Sequence, residues 1–139
     1  MGPRLAVVLI DTNIVAYLLI DGEYTAAAQR LRRRDSDWRS EAFLLVEFTN
    51  VLAAYIATKR MALPLAHAFL AQATALLDGK LARIPHAEVL TMTARYRVSA
   101  YDGRFLALAQ QLNRRLVTED ARLRKAAPGL TQSLAEALA

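Results

Sequence analysis

The sequence predicts an α/β fold: a short parallel sheet of about five strands between two layers of helices. Three features lead there. Residues 5–10 (LAVVLI) form an unbroken apolar run rich in branched side chains, the pattern of a parallel strand buried on both faces. Strand-like segments then alternate with one or more helical segments along the chain, the order that gives a parallel sheet. Finally, 139 residues, 55% hydrophobic and 22% charged, suit a single domain spanning 1–139 and exclude a disordered tail.

The elements follow in order. Leu5–Ile10 is the first strand, ended by Asp11-Thr12-Asn13, residue types that favour turns and helix caps. A helix runs on to about Leu19. Thr25–Arg34 is a second helix, with Ala27, Ala28 and Leu31 on its apolar stripe and arginines in its last turn, where they suit the helix dipole. Trp38–Ser40 is a short strand. Glu41–Arg60 reads as one long helix, closed near Ala62–Pro64, and Leu65–Leu77 as another, ended by Asp78-Gly79. Leu81–Ile84 is a strand stopped by Pro85. His86–Val98 and Ala100–Asn113 are helical, Arg115–Thr118 is a strand, and Glu119–Ala126 is a short helix. Pro128-Gly129 then turns the chain into Leu130–Ser133, a last edge strand.

Cysteine is absent, which excludes a disulfide scaffold, a thiolate metal site and a cysteine nucleophile. Leu5–Ile20 is nearly all apolar, but Asp11 and Asn13 at its centre argue against a membrane span. The run before them is too short for a signal peptide. The reading is a soluble cytoplasmic protein. Net charge is +5, and arginine supplies 15 of the 18 basic residues. That bias suits phosphate contact and equally suits a GC-rich genome.

Four acids stand out. Asp11 and Asp120 follow strands, and ligands of parallel sheets gather beyond the carboxyl ends of the strands. Glu47 shares a helix face with Leu44, Phe48, Val51 and Leu52, where a carboxylate is costly unless paired, protonated or bound to a cation. A salt bridge to an arginine, or a snorkelling edge position, would also explain it. Glu41 fits a helix N-terminus. Asp102 matches a capping box with Ser99 as N-cap. Asp120 fits the first turn of a helix capped by Thr118, and Asp11 fits an Asx turn. Each acid has a structural explanation; the spacing and context of all four together do not.

Four segments carry a resemblance: VLIDTNIVAYLL (8–19), EFTNVL (47–52), SAYDGRFLALA (99–109) and LVTEDARLRKAAP (116–128). In this order the chain resembles the PIN-domain proteins, in particular the small toxin ribonucleases of VapBC-type toxin–antitoxin pairs. The resemblance implies a three-layer α/β/α fold and a metal-dependent endoribonuclease. It places the family's acids on Asp11, Glu47, Asp102 and Asp120, and its supporting polar residues on Thr12, Asn13 and Thr118. Gly103 departs from the family, which usually has Ala there. Glu119 is an extra acid, facing solvent or joining the outer shell of a metal.

Such a site implies Mg²⁺ or Mn²⁺, hard cations that prefer oxygen ligands. Asp11, Glu47 and Asp102 are assigned to the main metal position. Asp120 would hold a second metal or an ordering water. Thr12, Asn13 and Thr118 would orient carboxylates or water. Close carboxylates without metal repel, so at least one should have a raised pKa. Setting the four acids aside leaves 18 basic residues against nine acidic ones, a net +9. Arg30, Arg32, Arg33, Arg34, Arg95, Arg97, Arg104, Arg114 and Arg115 are candidates for contact with single-stranded or structured RNA. The family resemblance also implies a homodimer and a cognate antitoxin protein, with the helices at 41–60 and 65–77 as candidate surfaces.

His67 and His86 have no partner at ligand spacing and read as structural or solvated. Trp38, Tyr55 and Tyr101 read as packing residues. A haloacid-dehalogenase phosphatase would need a second Asp where Asn13 stands and a motif lysine among Lys59, Lys80 and Lys125. An RNA-processing nuclease without an antitoxin and a non-catalytic PIN-like module that binds RNA or protein are the competing readings.

Overall fold

A computed structural model describes residues 6–139. The elements are β1 (Val7–Ile10), α1 (Thr12–Leu19), α2 (Thr25–Arg34), β2 (Asp37–Glu41), α3 (Leu44–Ala57), α4 (Leu63–Leu76), β3 (Leu81–Ala82), α5 (His86–Tyr96), α6 (Ala100–Leu112), β4 (Leu116–Val117), α7 (Ala121–Ala126), β5 (Thr131–Gln132) and α8 (Leu134–Leu138). The five strands form one parallel sheet in the order β3-β2-β1-β4-β5. Helices cover both faces, giving the expected three-layer α/β/α fold. The part of the first strand expected at Leu5 lies outside the described residues.

The strand order explains where a site can form. From β1 the chain builds outward through β2 to β3, then crosses back to lay β4 on the other side of β1. Connections on either side of β1 therefore run in opposite directions, and a crevice opens between the carboxyl ends of β1 and β4. β1 is central because Val8, Leu9 and Ile10 are apolar on both faces and all buried. At its carboxyl end, the Ser40 hydroxyl donates to the Ile10 carbonyl at 2.6 Å and the Asp11 N–H donates to the Val117 carbonyl at 3.3 Å.

The core fills the space between sheet and helices. α1 packs against α2, α3 and α4, while α6 packs on α5 and reaches β2 and β4. α6 buries Phe105, Leu106, Ala107, Leu108 and Ala109 in succession, so its middle is enclosed nearly all round while its ends stay exposed. Gly103 allows α6 to press against α5. A Cβ there would lie 2.9 Å from the Thr93 methyl and 3.3 Å from the Val89 carbonyl. The departure from alanine is thus a packing feature of this helix pair.

Several sequence expectations need correction. Glu41 does not begin a helix: it ends β2, pairs in register with Ala82, and the Ala42 N–H still donates to the Ala82 carbonyl at 2.8 Å. The helix begins only at Leu44, after a turn, and stops at Ala57 because Lys59 takes a left-handed conformation, φ 58°. α5 stops at Tyr96, two residues early, because Arg97 is also left-handed, φ 56°. α4 starts at Leu63 with Pro64 in its first turn, where the missing N–H costs nothing. Residues 134–138, to which the sequence pattern assigns no element, form α8, capped by Ser133.

Candidate active site

The site grows from three chain turns at the carboxyl edge of the sheet. As β1 ends, Asp11 stays extended and caps α1, its Oδ1 accepting the Ile14 N–H at 3.2 Å. Thr12 is the first residue of α1, and its hydroxyl donates to Glu47 Oε1 at 2.7 Å. That bond joins the starts of α1 and α3. Beyond β4, the Thr118 N–H donates to the Gln132 carbonyl at 2.9 Å, so Thr118 is fixed by β5. Its hydroxyl accepts the Asp120 N–H at 3.1 Å. Asp120, not Thr118, caps α7, accepting the N–H groups of Arg122 at 3.0 Å and Leu123 at 3.2 Å.

These turns and the first turn of α6 enclose a cleft of about 560 Å³. Asp11, Thr12, Asn13, Glu47, Asp102 and Asp120 all line it. Thr118 is fully buried and does not line it. Asn13 is exposed to the cleft, and Asn50, which sequence reasoning missed, joins it from α3, three residues after Glu47. At α6 the Ser99 hydroxyl accepts the Asp102 N–H at 3.1 Å, but the Asp102 carboxylate returns no bond to the Ser99 N–H. Only half of the expected capping box forms, and the carboxylate lines the cleft.

The electrostatics follow from burial and mutual repulsion. Burial pushes Asp11 up from 3.8 to about 7; the Thr118 hydroxyl and the Ile14 N–H oppose this, and the charges of Glu47 and Asp102 add to it. Glu47 is also raised, first by burial and then by Asp102 and Glu41, against the Thr12 bond. Asp102 is raised by burial and by Asp120, against Ser99 and Arg122. In a chain with 18 basic residues, none of these four acids forms an ion pair among the described residues. The salt-bridge reading of Glu47 is therefore replaced by the hydrogen bond from Thr12.

Among the described residues no three His, Asp or Glu side chains are gathered closely enough to close on one ion; the acids line the cleft rather than clasp a point. The donor set nonetheless fits a hard divalent cation. It is carboxylate oxygen throughout, it is short of positive charge, and three of its acids are raised, first by burial and then by their neighbours' charge, which a cation would offset. Neither histidine competes: His67 is exposed on α4, and His86 is exposed with Nδ1 3.3 Å from Arg104.

The sequence profile of the PIN domain matches residues 8–128. The chain belongs to the PIN-domain family. Members are typically nucleases, and the matched span contains all four acids and the three supporting polar residues. The fold is also that of PAE2754 from Pyrobaculum aerophilum, a crystal structure with a TM-score of 0.71, 19% identity and 96% of each chain covered. Among curated proteins nothing matches.

Other expected roles change. Glu119 neither faces solvent nor borders the cleft: it accepts the Leu134 N–H at 2.9 Å and lies 3.9 Å from Arg124, tying α8 to the strand edge. Glu41 is buried, accepts the Phe43 N–H at 3.0 Å and lies 3.7 Å from Arg104. Of the arginines proposed for RNA, only Arg104 reaches the cleft edge, 5.3 Å from the Phe43 ring. Arg34, Arg114 and Arg115 line a separate recess beside Val7, near the amino end of β1. Arg95 lines a hollow between α5 and α6. The sequence reading overlooked Arg122, which acts on Asp102, and Arg124, whose guanidinium donates to the Thr118 carbonyl at 2.9 Å. Trp38 is buried, as expected, but Tyr101 is 59% exposed on the cleft wall.

Proposed function

We propose that this protein is a metal-dependent endoribonuclease that hydrolyses RNA phosphodiester bonds, and that it is the toxin of a VapBC-type pair. The observation that carries the nuclease reading is four carboxylates without cationic partners on one cleft, at the point where the sheet reverses its direction of growth. Asp11, Glu47 and Asp102 would hold the main Mg²⁺ or Mn²⁺, and Asp120 a second cation or an ordering water. Such a cation supplies charge neutralisation at phosphate oxygens and a lowered water pKa.

The chain's own residues prepare that site. Thr12 holds Glu47, and the Ile14 N–H holds Asp11, so two of the carboxylates are fixed in orientation before substrate arrives. Asn13 offers an amide on the cleft wall that can bond a phosphate oxygen or water. Arg104 and Arg122 stand at the edge, where positive charge attracts the RNA backbone without neutralising the acids. The toxin assignment, with its homodimer, cognate antitoxin and cytoplasmic location, is supported by the resemblance of the four sequence segments. Among the described residues no helix is long and apolar enough to cross a membrane.

A thermal melt with millimolar Mn²⁺, on the native chain and on Asp102→Asn, tests the metal site without a guess about the RNA. A cation that binds only the folded chain stabilises by about 2.7 kcal/mol at a hundredfold excess over Kd. The expected rise belongs to the native chain alone and is larger at pH 8 than at pH 5. No rise in either protein would return Asp102 to a purely capping role. For the toxin reading, the gene should follow a short reading frame for a DNA-binding antitoxin that co-purifies with this chain; its absence would leave a nuclease of another role.

A further inference from the structure

The cleft has a second wall unlike the acidic one. Phe43, in the turn before α3, stacks on Tyr101 of α6 with ring centroids 5.3 Å apart and planes 8° from parallel. Both residues line the cleft, and Tyr101 directly precedes Asp102. Tyr101 is 59% exposed. Burial does not explain a large ring left in water beside a set of carboxylates. The other aromatic pair, Tyr17 and Tyr24, is tilted by 37° and half-buried against the core, as packing pairs are. Trp38 is buried, and Tyr55 faces Arg60 at 4.5 Å. Among the described residues, only Phe43–Tyr101 presents a flat, stacked, open aromatic surface at the candidate site.

We infer that Phe43 and Tyr101 form a stacking platform for an unpaired nucleobase of single-stranded RNA, next to the phosphate held over the acids. The inference rests on the endoribonuclease reading and adds which form of RNA is taken. A base is separated from its phosphate by one sugar, so a base on Tyr101 places its phosphate at Asp102. A paired base within a duplex has both faces covered and cannot use the platform. Rigidity comes from the neighbours: Arg104, one turn after Tyr101, lies against Phe43 and is held by buried Glu41. Stacking reads a π face that every base has, so the platform selects single strands without selecting sequence.

The test measures binding by fluorescence anisotropy in Ca²⁺, using a labelled single-stranded RNA of about 10 nucleotides and a companion with abasic sites at its centre. The two share every phosphate and differ only in the bases offered. The native chain is expected to prefer the complete RNA. Tyr101→Ala is expected to bind it about tenfold more weakly, equivalent to about 1.4 kcal/mol, and to bind the abasic RNA unchanged. Tyr101→Phe should keep the preference, and Tyr101→Leu, apolar but without a π face, should lose it. Equal effects on both RNAs, or none, would overturn the platform and leave the pair as an apolar rim. Failure of the native chain to bind either RNA would overturn the endoribonuclease reading, and the platform with it.

Discussion

The starts of α6 and α8 carry the same signature, a serine followed three residues later by an acid, and use it differently. At α8 both halves of the capping box form: Ser133 accepts the Glu136 N–H and Glu136 accepts the Ser133 N–H, each at 3.1 Å. Those bonds hold Glu136 below the usual carboxylate range. At α6 only the serine half forms, and burial holds Asp102 above that range. Aspartate is one methylene shorter than glutamate and reaches back less well. The difference teaches that a cap needs its serine, while the acid is available for other work. An acid that leaves its cap unclosed and is pushed up in pKa is a better marker of function than the motif that contains it.

The largest expected effect would break the comparison at its centre. Asp102→Asn keeps the side-chain shape and the Ser99 cap, so the protein should fold, yet RNA cleavage in Mg²⁺ should fall by about a thousandfold or more. Glu136→Gln should leave cleavage unchanged and only lower the melting temperature slightly. Comparable cleavage by both variants would remove Asp102 from the site.

The next effect sharpens the contrast through pH. Folded Asp11 keeps its proton up to about pH 7, while the unfolded chain releases it near 3.8. The folded state thus binds more protons across that window, and stability falls as pH rises through it, by about 4 kcal/mol for this group. Melts between pH 4 and 8 without divalent metal should show the fall, and Asp11→Asn should flatten it. A native chain whose stability rises over that window would contradict the placement of Asp11. Glu136 contributes with the opposite sign, its stabilisation being lost as pH drops through its lowered pKa.

The smallest effect concerns the packing that sets where α6 begins. Gly103→Ala improves helix propensity by up to about 1 kcal/mol, but the new methyl meets Thr93, whose hydroxyl is tied to the Leu90 carbonyl. Overpacking should win, with a net loss of about 1 kcal/mol in a denaturant titration. A stabilised variant would show that α5 yields.

Much of this is legible in the sequence. The unbroken apolar run of β1 and the alternation of elements point to the sheet, because buried parallel strands have no polar face to disguise them. Asp11, Glu47, Asp102 and Asp120 reach one cleft because strand ends and an apolar helix stripe fix their directions locally. The rest depends on partners distant in sequence. Nothing between Glu41 and Leu44 breaks a helical pattern; pairing with β3, some 40 residues away, makes Glu41 a strand residue. The exposure of Tyr101 and the bond from the Leu134 N–H to Glu119 are likewise set by tertiary contacts. The Ser133–Glu136 box is visible in the letters, but the helix it opens is too short for a helical period to show.

The crossing of the chain from one side of β1 to the other also sets an order in time. Asp11 leaves the ribosome well before Val117, whose carbonyl accepts its N–H, and before Thr118, which is fixed only when residue 132 pairs with the strand before it. Residue 119 in turn is anchored by the backbone of residue 134. During synthesis the acids emerge one after another without a complete cleft to share. Its supports fall into place only once residues 132 and 134 are made, so a product stalled before them carries the acids of the cleft without its architecture.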